Sequence, residues 1–265
     1  MITLSSDFGS PYPAAMKGVL LQRTDARLVD VAHDFPRQDV RTAAFWLREV
    51  LPYFPPATHL VVVDPGVGTD RNAVVIRAGE HALVGPDNGV LLPAARELAD
   101  GVDLEYFRVD DDHDALRPTR ADGTTPSQSS TFHGRDVFAP AAAAVHETTL
   151  ERLATLAVLE PLESVVDLAL PEATVDGDRA SGEVLVVDDF GNVVTNVPGR
   201  YLEDCDAVRV NGERVPVGDA FAAVDPGEKL AVVGSHGYVE LDVNQGRGDE
   251  AFDLETGDEV RLERG

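Results

Sequence analysis

The apolar run His59-Leu-Val-Val-Val63 stops at Asp64-Pro-Gly-Val-Gly-Thr-Asp-Arg71, and a second apolar run, Ala73-Val-Val-Ile76, follows at once. An acid therefore stands at the carboxyl end of a buried strand, on a loop that Pro65, Gly66 and Gly68 allow to turn tightly. In open α/β sheets the crevice beyond the strand carboxyl ends is where ligands bind. This junction asks for an α/β sheet and marks the place on it where chemistry belongs, with an arginine, Arg71, seven residues after the acid.

The flanking sequence alternates strand and helix. Ile2 to Leu4 reads as a strand ending at Ser5-Ser-Asp-Phe-Gly9, and Ala14 to Gln22 as a helix entered through Pro11 and Pro13. A strand over 27–31 precedes a helix capped by Asp39, with Val40, Ala43, Ala44, Leu47 and Leu51 on one face. Strands are expected over 60–63, 73–76, 82–84 and 104–109, the middle two as a hairpin around Ala78-Gly79, with a helix over 90–98. This βα order predicts a mostly parallel sheet flanked by helices. Residues 110–130 are polar and aperiodic and read as a surface loop.

Past Pro171 the texture changes to short β-rich runs (183–187, 193–195, 207–210, 230–233, 238–243 and 259–262) separated by turns such as Asn211-Gly212 and Asp225-Pro-Gly227. Two domains are expected: an α/β domain over 1–170 and a smaller all-β domain over 171–265, a small barrel or sandwich.

Charge narrows the partners. Asp plus Glu total 47 against 22 Lys plus Arg, a net charge of −25, and Lys17 and Lys229 are the two lysines. Such a chain repels nucleic acid and anionic membrane surfaces. Its self-repulsion weakens the compact state at low salt, whereas at molar salt the Debye length shrinks to about 3 Å. Acid enrichment with so little lysine predicts a halophilic protein. The single cysteine, Cys205, allows no internal disulfide. With no apolar run long enough for a bilayer and Met1-Ile-Thr-Leu4 reading as a strand rather than a leader, a cytoplasmic location is expected.

Six polar loops could carry chemistry: Ser5–Gly9, Asp64–Gly68 with Arg71, Gly85-Pro-Asp-Asn-Gly89, Ser130-Thr-Phe-His-Gly-Arg-Asp136, Asp188-Asp-Phe-Gly-Asn192 and Gly234-Ser-His-Gly237. Singly, each is a good turn sequence and nothing more. Asp7, Asp64, Asp87 and His133 could converge on a metal, but none of these four stands in an HxH, DxD or HExxH spacing, and the glycine-rich loops lack the lysine of a phosphate cradle. There is no Gly-x-Ser-x-Gly nucleophile elbow and no dinucleotide fingerprint after the first strand. No metal and no cofactor are expected.

Together and in this order the motifs resemble the S-adenosylmethionine hydrolase (adenosine-forming) family, related to the S-adenosylmethionine-dependent fluorinase and chlorinase. The resemblance runs through Thr3–Gly9 with Met16-Lys-Gly18, Asp64–Gly68, Gly85–Gly89, Phe132-His-Gly-Arg-Asp-Val-Phe-Ala-Pro140, Asp188-Asp-Phe-Gly-Asn-Val-Val-Thr-Asn196 and Gly234-Ser-His-Gly-Tyr-Val-Glu-Leu241. It implies an enzyme whose substrate is S-adenosyl-L-methionine, attacked by water at ribose C5′ to release methionine and leave adenosine. It also implies a homotrimer, with ligand between the N-terminal domain of one subunit and the C-terminal domain of the next.

The family's Asp–Arg–His triad falls on Asp64, Arg71 and His133. Asp7 resembles the acid on the ribose hydroxyls, Asn192 the adenine-reading amide, Asp188 the acid on the methionine amine, and Ser235 the hydroxyl near its carboxylate. His236 stands where the fluorinase has an arginine, and Glu240 is a further ligand candidate. The halogenases carry other residues at the positions of Asp64 and His133, so the resemblance favours water over halide. A non-catalytic adenosine or S-adenosylmethionine binding protein remains the alternative from another class. An arginine beside Asp64 makes that carboxylate a weak base, which favours His133 as the proton acceptor. Gln38 stands where the fluorinase has a tryptophan over adenine; Trp46 is expected in the core, and Phe190 is the candidate to stack instead.

Overall fold

Along each central strand of the first unit, side chains alternate between two apolar layers. Leu60 and Val62 enter one layer and Val61 and Val63 the other; Ala73 and Val75 oppose Val74 and Ile76 in the same way. A sheet apolar on both faces has to be covered on both. Helices α1 (Tyr12–Leu21) and α4 (Ala139–His146) cover one face, and α2 (Val40–Val50) and α3 (Leu92–Leu98) the other. Each fully buried Leu, Val or Phe in these layers contributes about 1.5–3 kcal/mol.

The computed structural model describes residues 1–265 apart from positions 121, 126 and 128. The chain divides into two units, Met1–Ala169 and Leu170–Gly265. Among the described residues the first unit has seven strands: β1 (Ile2–Ser6), β2 (Leu28–Ala32), β3 (Thr58–Val62), β4 (Ala73–Ala78), β5 (His81–Pro86), β6 (Glu105–Val109) and β7 (Leu159–Leu162). Their order is β2-β1-β3-β5-β4-β6-β7.

The expectation of a mostly parallel sheet is corrected. The β1–β2, β1–β3 and β3–β5 pairs are parallel, whereas β4–β5, β4–β6 and β6–β7 are antiparallel, so the sheet is mixed. The cause is local: Gly79 and Glu80 join β4 to β5 as a two-residue hairpin, and a parallel pair needs a crossover of a dozen residues or more. The parallel half is the part whose carboxyl ends carry Asp7 and Asp64. Ser6 pairs in register with Val62, so the residues after β1 and β3 emerge side by side.

Asp39 caps α2 as expected, its Oδ1 accepting from Thr42 N–H at 2.9 Å. Phe45, not Trp46, is the wholly buried aromatic of that helix; Trp46 is half-buried and meets the Phe45 ring edge to face. In the polar stretch 110–130 the described residues form a loop with one short helical turn, Asp114–Leu116, whose Leu116 is buried in the core. Arg23 pins that turn through the carbonyls of Ala115 and Arg117, both at 2.7 Å. Positions 121, 126 and 128 of the stretch lie outside the described residues.

The second unit contains β8 (Thr174–Asp176), β9 (Arg179–Val187), β10 (Val193–Pro198), β11 (Ala207–Val210), β12 (Glu213–Pro216), β13 (Lys229–Val233), β14 (Tyr238–Val243) and β15 (Glu259–Arg264). They run β12-β11-β15-β9-β10-β14-β13, with β8 on β9, and every named pair is antiparallel. Val217, just past β12, bridges to Ala231 of β13, and Gly218 N–H donates to the Ala231 carbonyl at 3.0 Å, so the sheet curls into a near-barrel. Among the described residues a short α-helix, α5 (Gly248–Phe252), and two 3₁₀ turns, Gly199–Leu202 and Phe221–Ala223, interrupt the all-β pattern.

Candidate active site

A cleft of about 660 Å³ opens at the carboxyl ends of β1 and β3, and Asp7, Asp64 and His133 all line it. Asp64 hangs from the end of β3 on a loop whose Gly68 has φ +79° and packs so tightly that an added Cβ would lie 2.7 Å from the Ser130 carbonyl oxygen. That contact fixes the Asp64 loop against the segment leading to His133. His133 in turn begins a wide π-helical turn, Gly134–Phe138, which leads into α4.

The structure brings Asp64, Arg71 and His133 into one hydrogen-bonded group. Arg71 Nε donates to Asp64 Oδ1 at 3.0 Å and Nη2 donates to Oδ2, a bidentate fork. The same Nη2 lies 2.9 Å from Nδ1 of His133. The guanidinium stands 5.0 Å from the centroid of the buried Phe138 ring. The Asp64 and Arg71 side chains are 4% and 10% exposed, so the pair is largely buried, with Asp64 reaching the cleft wall.

The contact with His133 settles a tautomer. An arginine only donates, so His133 Nδ1 accepts, and the proton of the neutral ring sits on Nε2. Burial first, then the positive charge of Arg71, lowers the His133 pKa from its ordinary value and keeps the ring neutral. A neutral imidazole protonated at Nε2 with its other nitrogen engaged is a donor rather than a base. This tautomer counts against the sequence-based expectation that His133 accepts a proton.

Asp7 follows β1, and its Oδ2 accepts from the backbone N–H of Gln38 at 2.6 Å. Gln38 takes a left-handed backbone (φ +63°) and also lines the cleft. Three rings, Phe8, Tyr12 and Phe132, add an apolar wall; they meet edge to face with centroids 5.4–6.3 Å apart. Phe8 and Phe132 lie in loops the sequence marked as able to carry chemistry, but nothing local in the sequence showed that the three rings would meet.

Asp87, the remaining metal candidate, is not part of the cleft lining. Its Oδ1 accepts from Val166 N–H at 2.7 Å and its Oδ2 from Asn72 at 3.3 Å, while the neighbouring Asn88 ties the loop to the Val63 carbonyl at 2.9 Å. The Gly85–Gly89 motif is a strut. Among the described residues no group of three or more His, Cys, Asp or Glu side chains is arranged to hold a metal ion.

The other candidates lie in the second unit. Asp188 closes its own turn: Oδ1 accepts from the N–H groups of Phe190 and Asn192, both at 2.9 Å, and Oδ2 from the Asn192 amide at 3.0 Å. Phe190, at the tip, is 79% exposed. Ser235 and His236 occupy the β13–β14 turn, where Gly237 N–H donates to the Gly234 carbonyl at 2.9 Å. By the register of β10 on β14, these two turns sit at opposite ends of the strand pair, and Glu240, opposite Val194, stands between them.

Glu240 Oε1 lies 3.1 Å from His236 Nδ1, and its side chain folds over Gly234, where an added Cβ would meet Oε1 at 1.9 Å. Sequence reasoning missed Asp242, two residues on and on the same face. Its side chain is wholly buried, and neither oxygen has a hydrogen-bond partner among the described residues. Burial, reinforced by the charges of Glu240 and Asp188, pushes its pKa up to about 8.

Similarity to known proteins extends along the whole chain. Residues 2–154 match the SAM hydroxide adenosyltransferase N-terminal domain and residues 182–261 the SAM hydroxide adenosyltransferase C-terminal domain. A protein of Salinispora tropica named (R)-S-adenosyl-L-methionine hydrolase is 40% identical, covering 100% of this chain and 98% of its own. One of the same name from Thermus thermophilus is 42% identical, covering 97% of each. The crystal structure of an uncharacterized conserved protein from Thermotoga maritima superposes with a TM-score of 0.83 at 34% identity, covering 100% of both chains. The chain belongs to the SAM hydroxide adenosyltransferase family.

Proposed function

We propose that this protein hydrolyses S-adenosyl-L-methionine to adenosine and L-methionine by attack of water on ribose C5′, without metal or cofactor. The observation that carries the reading is the Asp64–Arg71–His133 group on one cleft with Asp7. A sulfonium is already a good leaving group; the poor partner is water, with a pKa of about 15.7. In the step, the water oxygen forms the C5′–O bond, the C5′–S electron pair passes to sulfur to give a neutral thioether, and the resulting oxonium loses one proton by way of the Asp64 carboxylate to solvent. Positive charge thus moves from sulfur to the attacking oxygen.

Asp64 is the group that meets this charge. Its carboxylate accepts a hydrogen bond from the water and stabilises the cationic oxygen, and His133 Nε2–H fixes the water's orientation. Holding water and C5′ about 3–3.5 Å apart supplies several kcal/mol of the barrier. Arg71 holds both partners in place. Asp7 takes the ribose hydroxyls. In the second unit, Asn192 reads adenine, Phe190 stacks on it, Asp188 and Ser235 meet the amino acid end, and His236 with Glu240 completes the contact.

The working assembly is a homotrimer in a salt-rich cytoplasm, each ligand lying between the N-terminal domain of one subunit and the C-terminal domain of its neighbour. Supporting the salt adaptation is the net charge of −25 with two lysines.

In ¹⁸O-water at molar salt, S-adenosylmethionine is expected to yield adenosine labelled at the 5′ oxygen. Unlabelled adenosine, or no turnover at any salt concentration, would sink the reading and leave a binding protein.

A further inference from the structure

Although the chain lacks a Gly-x-Ser-x-Gly elbow, the fold assembles a Ser–His–Asp chain from separate segments. Ser6 Oγ lies 2.7 Å from His33 Nδ1, and His33 Nε2 lies 3.0 Å from Asp30 Oδ1. The other Asp30 oxygen accepts from Lys17 Nζ at 2.6 Å. Lys17 is one of the two lysines in the chain and sits in α1, directly after the Asp7 loop. This is not a nucleophile at work: Ser6 has no exposed surface, so no substrate carbon reaches its hydroxyl.

What the chain encloses is more telling. His33 holds the Asp7 loop from both sides. Its ring bonds Ser6, the residue before Asp7, and its carbonyl oxygen accepts from Gly9 N–H, two residues after, at 2.7 Å. In the tautomer with Nε2–H donating to Asp30, Nδ1 accepts from the Ser6 hydroxyl. Asp30 and Lys17 thereby fix the imidazole, and the imidazole fixes the end of β1. On the far side, Gln38 N–H holds Asp7 Oδ2. Recognition groups perform only when their supports hold them within about 0.5 Å of the productive geometry.

We propose that His33, oriented by Asp30 and Lys17, is a positioning residue that sets the Asp7 carboxylate for a vicinal diol and so makes the site select ribose over deoxyribose. This rests on the assignment of Asp7 to the ribose hydroxyls made above.

The test is calorimetric binding of adenosine and 2′,3′-dideoxyadenosine in molar salt. A hydroxyl donating to a carboxylate is worth about tenfold or more in affinity, so the native protein is expected to prefer adenosine by at least that factor. In His33→Leu the preference falls to within about threefold through weaker adenosine binding, with dideoxyadenosine unchanged. His33→Asn, whose amide oxygen can accept from Ser6, restores part of it. Asp30→Asn alters the half-exposed end of the chain and leaves the buried end intact; there the preference drops about threefold. A His33→Leu or Asp30→Asn variant that keeps the full preference overturns the proposal, as does equal weakening of both ligands, which would mark a merely structural role. A native protein that turns over S-adenosylmethionine yet shows no preference would refute the diol assignment and this inference with it, leaving the hydrolase reading in place.

Discussion

Arg71 Nη2 serves two acceptors at once, Asp64 Oδ2 and, at 2.9 Å, His133 Nδ1. One guanidinium therefore holds the aspartate and the histidine together, and its charge helps to keep the histidine neutral. Lysine, a point charge on a flexible stem, lacks the planar fork that holds both acceptors in fixed geometry.

Arg71→Lys is accordingly expected to lower kcat by about 100-fold or more while the far-ultraviolet circular dichroism stays native. The same contact sets the pH profile. Protonating His133 puts a hydrogen on Nδ1 against the Arg71 donor, and that pKa lies below the ordinary 6.5 because of burial and Arg71. The rate should be level through neutral pH and fall only on the acid side of 6.5; a decline that begins above 7 would contradict the neutral-histidine assignment.

Gly68 carries the loop geometry. At φ +79°, with the Ser130 carbonyl 2.7 Å from a built Cβ, alanine meets both a disfavoured backbone region and a backbone atom that cannot swing aside. Gly68→Ala should cost about 1–3 kcal/mol of stability and reduce kcat more than it raises KM, since the Asp64 loop moves with it. Denaturant titration with steady-state kinetics checks both, and a variant of native stability and rate would show the loop to be slack.

Asp242 gives a stability signature of opposite sign to an ordinary salt-bridged acid. Its folded pKa of about 8 lies above the usual 3.8, so between these values the unfolded chain releases a proton that the folded chain keeps. Its contribution is fully present below 3.8 and is lost as pH rises through about 8, by up to about 1.4 kcal/mol per pH unit. Asp242→Asn cannot ionise. The variant should gain stability over the native protein as pH goes from 4.5 to 7.5; a difference that does not change with pH would show Asp242 to be ionised throughout.

Much of this was legible in the chain. The strand ending at Asp64, the capped helix after Asp39 and the β-rich second half follow from periodicity and turn chemistry, which are local properties. The order of motifs also pointed to the family and to Asp64, Arg71 and His133, whose spacing of 62 positions between Arg71 and His133 carries no physical signal by itself. What the sequence left open is non-local. Whether β4 and β5 run parallel depended on a two-residue turn, and whether Asp87 served the cleft or the loop depended on where Val166 came to rest. Two things needed the tertiary structure outright: the tautomer of His133, because a hydrogen bond from Arg71 decides it, and the bracketing of Asp7 by His33, because strand pairing brings them together. Local sequence sets which elements form and what each loop can offer; only the packing of distant segments decides which polar groups share a hydrogen, and in this protein that sharing is the chemistry.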